Sequence, residues 1–317
     1  MKRQMLFRSL KIALAAVVSI LLATKLGLLY AVSAGIVAIL SLRGTKRETL
    51  KTAANRGLAF LCALVIAFLC FGVFGFTITA FGIFLFFFAL LCFRFGWEEA
   101  LAPDAVLISH FLIQKNMGVR LLTEELLVFG IGAGMAILLN LHLHRKSERF
   151  EGLADVVDDV IKELLGTISE RLINQQTAAF EETFERLESS LDAARDCAVM
   201  NDNNALRNRD TYELDYVNMR RQQKVVLKEI CTHISQLHYF PVQAMRVGEI
   251  VKTIQLDYHK TNTVEGLLAQ LEGVLAEMKQ EKLPVTREEF EARAILFTVL
   301  LQLKSLLQIK KEFICGR

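Results

Sequence analysis

Between Gly57 and Phe93 the chain carries no charged side chain. That neutral run of 37 residues excludes an ordinary soluble domain at this place. Read as one helix it would reach about 55 Å, nearly twice the roughly 30 Å hydrocarbon core of a bilayer. Two crossings joined by a tight turn fit instead, and Gly72, Gly75 and Thr77 supply the turn. Polar and apolar residues do not alternate, which excludes barrel strands; a helix in lipid satisfies its own backbone hydrogen bonds. The six cysteines, Cys62, Cys70, Cys92, Cys197, Cys231 and Cys315, form no CxxC pair. A disulfide framework and a thiolate zinc site are therefore excluded, and reduced, buried thiols are expected. No GxSxG, P-loop or HExxH occurs, so the chain is not expected to be an enzyme. His142-x-His144, and Cys231-x-His233 with His238, lack a carboxylate to complete a ligand set, so neither a metal nor another cofactor is expected. Gly130, Gly132 and Gly134 follow no strand and are no dinucleotide loop.

What is present is apolar and unevenly spread. Hydrophobic residues make up 53% of the 317, and the mean hydropathy is +0.37. Residues 1–150 hold 16 Lys/Arg and 7 Asp/Glu; residues 151–317 hold 21 and 27. A basic, apolar half and an acidic half point to two domains in different solvents. We expect an all-α protein: a six-helix transmembrane domain over 1–145, then a cytosolic helical C-terminal domain over 146–317. The basic, apolar start resembles a signal peptide, but no small-x-small cleavage site follows cleanly, so it is read as a first span. Ile12–Leu42, interrupted by Lys25 and Gly27, predicts two short crossings of about fifteen residues each. The neutral run gives two more, 101–114 a fifth, and 126–143 a sixth.

The stretch SLRGTKRETLKTAANRGLAFL (41–61) lies between apolar runs and carries Arg43, Lys46, Arg47, Lys51 and Arg56. With six spans and the N-terminus inside, cytosolic segments hold 13 basic residues and outer segments three, Lys25, Lys115 and Arg120. The positive-inside rule then makes this stretch a cytosolic loop and places both termini in the cytoplasm, in a multi-pass protein of the cell membrane. The same charges form a candidate anion-attracting patch.

The order LKIALAAVVSILLATKLGLLYAVSAGIVAILSLRGTKRETLKTAANR, the later FGIGAGMAILLNLHLHRKSER and the acidic helical tail together resemble the aromatic acid exporter family, member 1 type, related to fusaric acid resistance proteins. The resemblance covers essentially the whole chain and rests on hydropathy and small residues. It implies efflux of small aromatic or other organic acids. Larger relatives carry two six-helix halves in one chain, which implies that this single half pairs with itself as a homodimer about a two-fold axis.

Asp104 and His110 lie six residues apart in the fifth span, about 9 Å along a helix. Ionisable groups at membrane depth are functional candidates by default, and both are candidates for proton coupling. The bland reading of Asp104 is an N-terminal helix charge after Pro103 at the interface; that of His110 is a hydrogen-bonded interior histidine. Asn140 is expected to bond a neighbouring helix. Gly130-x-x-x-Gly134, and Gly35 with Ala31, Ala34 and Ala38, offer small-residue faces for helix packing, either of which could line a dimer seam. Most phenylalanines of FGVFGFTITAFGIFLFFF are expected to face lipid or pack between helices. Trp97, Glu98 and Glu99 fit an interfacial belt.

In the tail, Phe150, Leu153, Val157, Val160, Leu164, Ile168 and Leu172 step by three and four, an amphipathic helix that could continue the sixth span. Helical segments follow up to Pro284, one of them from Asn262, and Thr286 with Glu289 makes a capping box for the last. The sum is a bundle of about five helices. ILFTVLLQLKSLLQI contains Gln302, Lys304, Ser305 and Gln308, and reads as a bundle helix rather than a seventh span. The tail's acidic balance argues against nucleic acid. The expected partners are the lipid bilayer, a second copy and a small organic anion. The competing function is a non-transporting, membrane-anchored scaffold or sensor acting through the tail.

Overall fold

The computed structural model describes residues 2–141, 147–175, 179–205, 211–258 and 264–316, with the side chains of 2–4 and of Ser147 left aside. His142, His144, Arg145, Lys146 and Asn262 lie outside the described residues, and so does any continuity between the sixth helix and the tail. Among the described residues every regular element is a helix. The chain divides into two compact units: Met1–Arg145 with Asn203–Asn208, and Lys146–Asp202 with Arg209–Arg317.

The first unit is α1 (Lys2–Lys25), α2 (Ala31–Ser41), α3 (Lys46–Phe74), α4 (Ile78–Phe95), α5 (Glu98–Gln114) and α6 (Val119–Leu141). The first pair divides unequally, not into two crossings of similar length. Nothing breaks the helix before Gly27, which takes φ 71°, so α1 runs to 24 residues and leaves α2 only 11. At 1.5 Å per residue α2 reaches about 16 Å, half a hydrocarbon core. It is seated between α1 and α6.

The basic stretch is not a loop. Thr45 caps α3 by accepting a hydrogen bond from the Glu48 backbone at 3.3 Å, and Glu48 adds an acid to the first turn. No helix breaker follows, so Lys46, Arg47, Lys51 and Arg56 all stand on the first three turns of α3. The turn into α4 falls where the sequence places it. Gly75 takes φ 69°, a backbone open chiefly to glycine, and Thr77 caps α4 through the Ala80 N–H at 3.2 Å.

In phase, α3 buries Thr49, Ala53, Arg56, Phe60, Ala63 and Ala67. Its other face exposes Leu58, Leu61, Val65, Phe68 and Val73, an apolar stripe too long for water and suited to lipid. Phe84 and Phe88 pack inside, whereas Phe86, Phe87 and Phe93 face outward.

Among its described residues the second unit holds six helices, one more than the sequence suggests: α7 (Ser147–Asn174), α8 (Glu181–Asn204), α9 (Tyr212–Ser235), α10 (Val242–Leu256), α11 (Glu265–Gln280) and α12 (Arg287–Cys315). The predicted stripe of α7 is buried from Phe150 to Leu172 except Leu153, which packs against that core. Thr286 Oγ1 accepts from the Glu289 N–H at 3.2 Å, and Glu289 Oε2 accepts from the Val285 N–H at 3.0 Å. Helices α1, α3, α4, α6 and α12 are long and apolar enough to cross a bilayer. In α12 the apolar face of Leu296, Val299, Leu300, Leu303, Leu306 and Leu307 is covered within the bundle, chiefly by α9 and α11.

Candidate functional site

Two polar features lie near opposite ends of α5. At its start, the first unit opens a cavity of about 600 Å³ between the N-terminal turns of α3, the α2–α3 connection and the Gly96–Ala100 segment. Arg8, Arg43, Lys51 and Arg56 line it against Glu48 and Glu99, and Trp97, the only tryptophan, forms part of the wall. Arg43 pairs with Glu99, which leaves the balance of the lining positive. Lys46 and Arg47 stand on the same turns of α3 but do not line it.

Arg56 is 1% exposed. Its Nη1 donates to Ser41 Oγ at 2.9 Å and to the Val37 carbonyl at 3.5 Å, while Nε and Nη2 are buried without a partner. Leaving buried guanidinium N–H groups unpaired costs on the order of 1–3 kcal/mol each or more. Asp104 lies one helical turn beyond Ala100, a cavity residue on α5. It is fully buried, with neither oxygen hydrogen-bonded. Asp104 is therefore not a helix-start charge. α5 already starts at Glu98, so Pro103 sits inside the helix and Asp104 turns into the core.

The second feature is a buried pair that the sequence reading missed in part. His110 Nδ1 is 2.8 Å from Glu125 Oε1, and Nε2 is 3.5 Å from Ser33 Oγ. The Tyr30 ring stacks on the imidazole, centroids 3.6 Å apart and 4° from parallel. Glu125 is fully buried and its Oε2 has no partner. The apolar run of the sixth span begins at residue 126, one residue past Glu125. Its signal was phase: stepping back from Asn140 by helical turns gives Ala136, Gly132, Val128, Glu125 and Leu121, and all five are buried.

Asn140 ties three segments. It accepts from Lys11 of α1, and its amide donates to Thr49 of α3 and, at 2.9 Å, to the Arg43 carbonyl. Gly35 faces Ile20 of α1, where a Cβ would come within 2.7 Å. With Ala34 and Ala38 also buried, the α2 face is occupied inside the unit and is not free as a dimer seam. On α6 the seat against α2 is Gly132, whose Cβ would lie 2.5 Å from the Ala34 carbonyl oxygen. Gly130 and Gly134 face open space.

The second unit has its own polar core. Arg220 Nη2 meets Asp158 Oδ1 at 2.7 Å, both buried. Tyr216 donates to Asp158, and Tyr258 donates to Gln223 Oε1 at 2.6 Å. Burial works against the Arg220 charge, but Tyr258, Tyr216 and Asp158 outweigh it and hold the guanidinium above its ordinary value. Lys310 lies 4.8 Å over the Tyr258 ring, and burial, then repulsion from Arg220, pulls its ammonium down to about 8. Burial pushes the Cys231 thiol up to about 12, and His233 bonds Gln302 at 3.1 Å. Among the described residues no cluster of three His, Cys, Asp or Glu could hold a metal ion.

An all-helical chain with several lipid-length apolar helices and polar groups turned inward is a multi-pass membrane protein. Residues 3–143 match the family described as "Aromatic acid exporter family member 1", and residues 147–311 match "Putative aromatic acid exporter C-terminal domain". The chain belongs to this aromatic acid exporter family, which is a family of membrane transporters. It is also similar to "Uncharacterized protein YqjA" of Bacillus subtilis (strain 168), 23% identical over 307 residues, covering 97% of this chain and 95% of that one. A solved structure, "Crystal structure of putative membrane protein from Clostridium difficile 630", is 26% identical and covers 52% of this chain and 98% of that chain, with a TM-score of 0.47.

Proposed function

We propose that this chain exports small organic anions, aromatic carboxylates among them, from the cytosol, and that the Arg56 cavity is where the anion is first held. The observation that carries this reading is a buried guanidinium with two unpartnered nitrogens at a positively lined cavity. Arg8, Arg43 and Lys51 raise the local concentration of anions at the mouth, and Trp97 offers an aromatic ring a stacking surface. Lys46 and Arg47 extend the same field outward. By the positive-inside rule this end of the helices is cytosolic, in the cell membrane, with both termini inside. Residues 1–145 form the membrane domain. The half-length α2 is covered by α1 and α6 rather than spanning alone, and 146–317 form the cytosolic bundle, α12 included. The open α6 face at Gly130 and Gly134 supports a two-fold dimer seam.

Trp97 is the sole tryptophan, so its fluorescence reports on the cavity. Benzoate, salicylate and phenylacetate titrated into the full chain in nanodiscs should change that fluorescence saturably. Arg56→Gln should weaken the effect at least tenfold. A linear, non-saturating response to every acid, unaltered in Arg56→Gln, would remove the cavity from the account.

A second reading has its own support. Leu283, Val285 and Phe290 are strongly exposed beside a groove of about 250 Å³ in the bundle, as a scaffold engaging a partner through its tail would need. Saturable binding at Trp97 favours the exporter over the scaffold.

A further inference from the structure

Near the far end of α5 the first unit has another, smaller cavity of about 220 Å³, lined by Gln114, Leu121 and Glu124 among others. Gln114 lies one helical turn beyond His110 on α5, and Leu121 one turn before Glu125 on α6. The His110–Glu125 pair therefore sits one turn beneath this cavity. Ala100 of the basic cavity and Gln114 of this one are fourteen residues apart on α5, about 21 Å. The two cavities stand at opposite ends of one helix. Asp104 lies one turn inside the basic cavity, with neither oxygen hydrogen-bonded, and His110 with Glu125 one turn inside the other; about 9 Å of helix separates Asp104 from His110.

We infer that His110 and Glu125 form one proton-binding site fed from this far cavity, and that a proton taken up there is exchanged for the organic anion held at Arg56. The exchange rests on the exporter reading; the proton site does not. Nδ1 lies 2.8 Å from Glu125 Oε1; because a carboxylate oxygen only accepts, we assign the hydrogen to Nδ1 in both states. The incoming proton leaves a hydronium ion and bonds to the Nε2 lone pair, beside Ser33 Oγ, with no other bond made or broken. Loaded, the pair is an imidazolium and a carboxylate of zero net charge. Empty, it is a single buried carboxylate whose Oε2 has no hydrogen bond. The difference of one charge biases which conformation the helices prefer.

The surroundings contain few competing groups. Tyr30, from the turn before α2, is stacked on the ring and bonded through its hydroxyl to Gln114 at 3.0 Å. On α6, Glu124 is occupied by Arg120 at 3.1 Å and by the Leu29 N–H at 3.4 Å. Lys25 and Lys115 stand at the ends of α1 and α5, and Lys11 is bonded to Asn140. From α3 and α4 come Arg56 and the thiols Cys62, Cys70 and Cys92. Asp104 is the remaining carboxylate of the buried part of α5.

The test uses the full chain in lipid, with two readouts. Nitrogen-15 histidine NMR in nanodiscs, with His110 assigned by its loss in His110→Gln, should show the His110 ring nitrogens responding to pH. Glu125→Gln should change that response. In proteoliposomes, accumulation of radiolabelled benzoate, salicylate or phenylacetate driven by a pH gradient should fall at least tenfold in Glu125→Gln and in His110→Gln. Counterflow exchange at equal pH should persist. If Glu125→Gln is not recovered as a monodisperse protein, His110→Gln and Ser33→Ala carry the comparison. A wild-type ratio of gradient-driven transport to counterflow in the variants overturns the inference. So does a His110 signal that ignores pH. Absence of both transport modes in the wild type defeats the exporter reading alone, and the NMR titration then decides the proton site.

Discussion

Gly132→Ala tests how α2, the helix whose end leads into the basic cavity, is held in place. The added methyl would lie 2.5 Å from the Ala34 carbonyl oxygen and 2.7 Å from Val37 Cβ, against ordinary contacts of 3.4–4 Å. The nearest atom is backbone, so a side-chain rotation does not relieve it. Helices α2 and α6 must part by about 1 Å, an overpacking that costs on the order of 1–3 kcal/mol. Within the subunit the same change at Gly134 meets nothing within 4 Å. The assay is thermal unfolding of the full chain in detergent, followed by loss of the monodisperse peak. Gly132→Ala should unfold several degrees below wild type. The tilt of α2 should also disturb Ser41 and its bond to Arg56, weakening anion binding at Trp97. Equal stability of Gly132→Ala and wild type would refute the close seat of α2 on α6.

Further outcomes follow from the bundle. Asp158→Asn leaves Arg220 buried without its carboxylate and should cost about 3–5 kcal/mol in urea unfolding of the full chain. Pairing Asp158→Leu with Arg220→Met should recover most of it. Lys310 binds its proton more weakly in the fold than in the unfolded chain, so between its folded value of about 8 and its ordinary 10.5 the unfolded state holds more protons. Stability contributed by this residue therefore rises with pH through that window, by about 1 kcal/mol from pH 7 to pH 9. Lys310→Met should remove the rise and stabilise the bundle at pH 7, read from unfolding midpoints at both pH values.

Much of the architecture was legible because membrane helices announce themselves. The charge-free run from Gly57 to Phe93 could only be two helices, and Gly75 and Thr77 could only be their turn. The amphipathic step of Phe150 to Leu172 likewise fixed the buried face of α7. What escaped were polar residues whose meaning depends on phase. Arg56 follows four other cations and reads with them as part of a basic cytosolic loop. Yet it shares a helical face with Ala53, Phe60 and Ala63, and so it turns inward while Arg47 and Lys51 do not. Asp104 was displaced by Pro103, which marks a helix start only when it stands in the first turn; here Trp97 precedes α5 and the proline comes sixth. Glu125 fell one residue outside a span drawn by hydropathy, since a carboxylate lowers the average that defines the span. Glycine spacing likewise leaves out phase within the subunit. The Gly130–Gly134 pair matches the packing motif, but the face set by Glu125 and Asn140 brings Gly132 against α2.

The central claim is that an organic anion crosses the membrane by way of the Arg56 cavity. Counterflow of radiolabelled benzoate, salicylate or phenylacetate into preloaded proteoliposomes measures it most directly, comparing wild type with Arg56→Gln of equal recovery and equal unfolding midpoint. The account predicts saturable exchange by the wild type that falls at least tenfold in the variant. Exchange of equal rate in both proteins, or none by correctly inserted wild type, would contradict it.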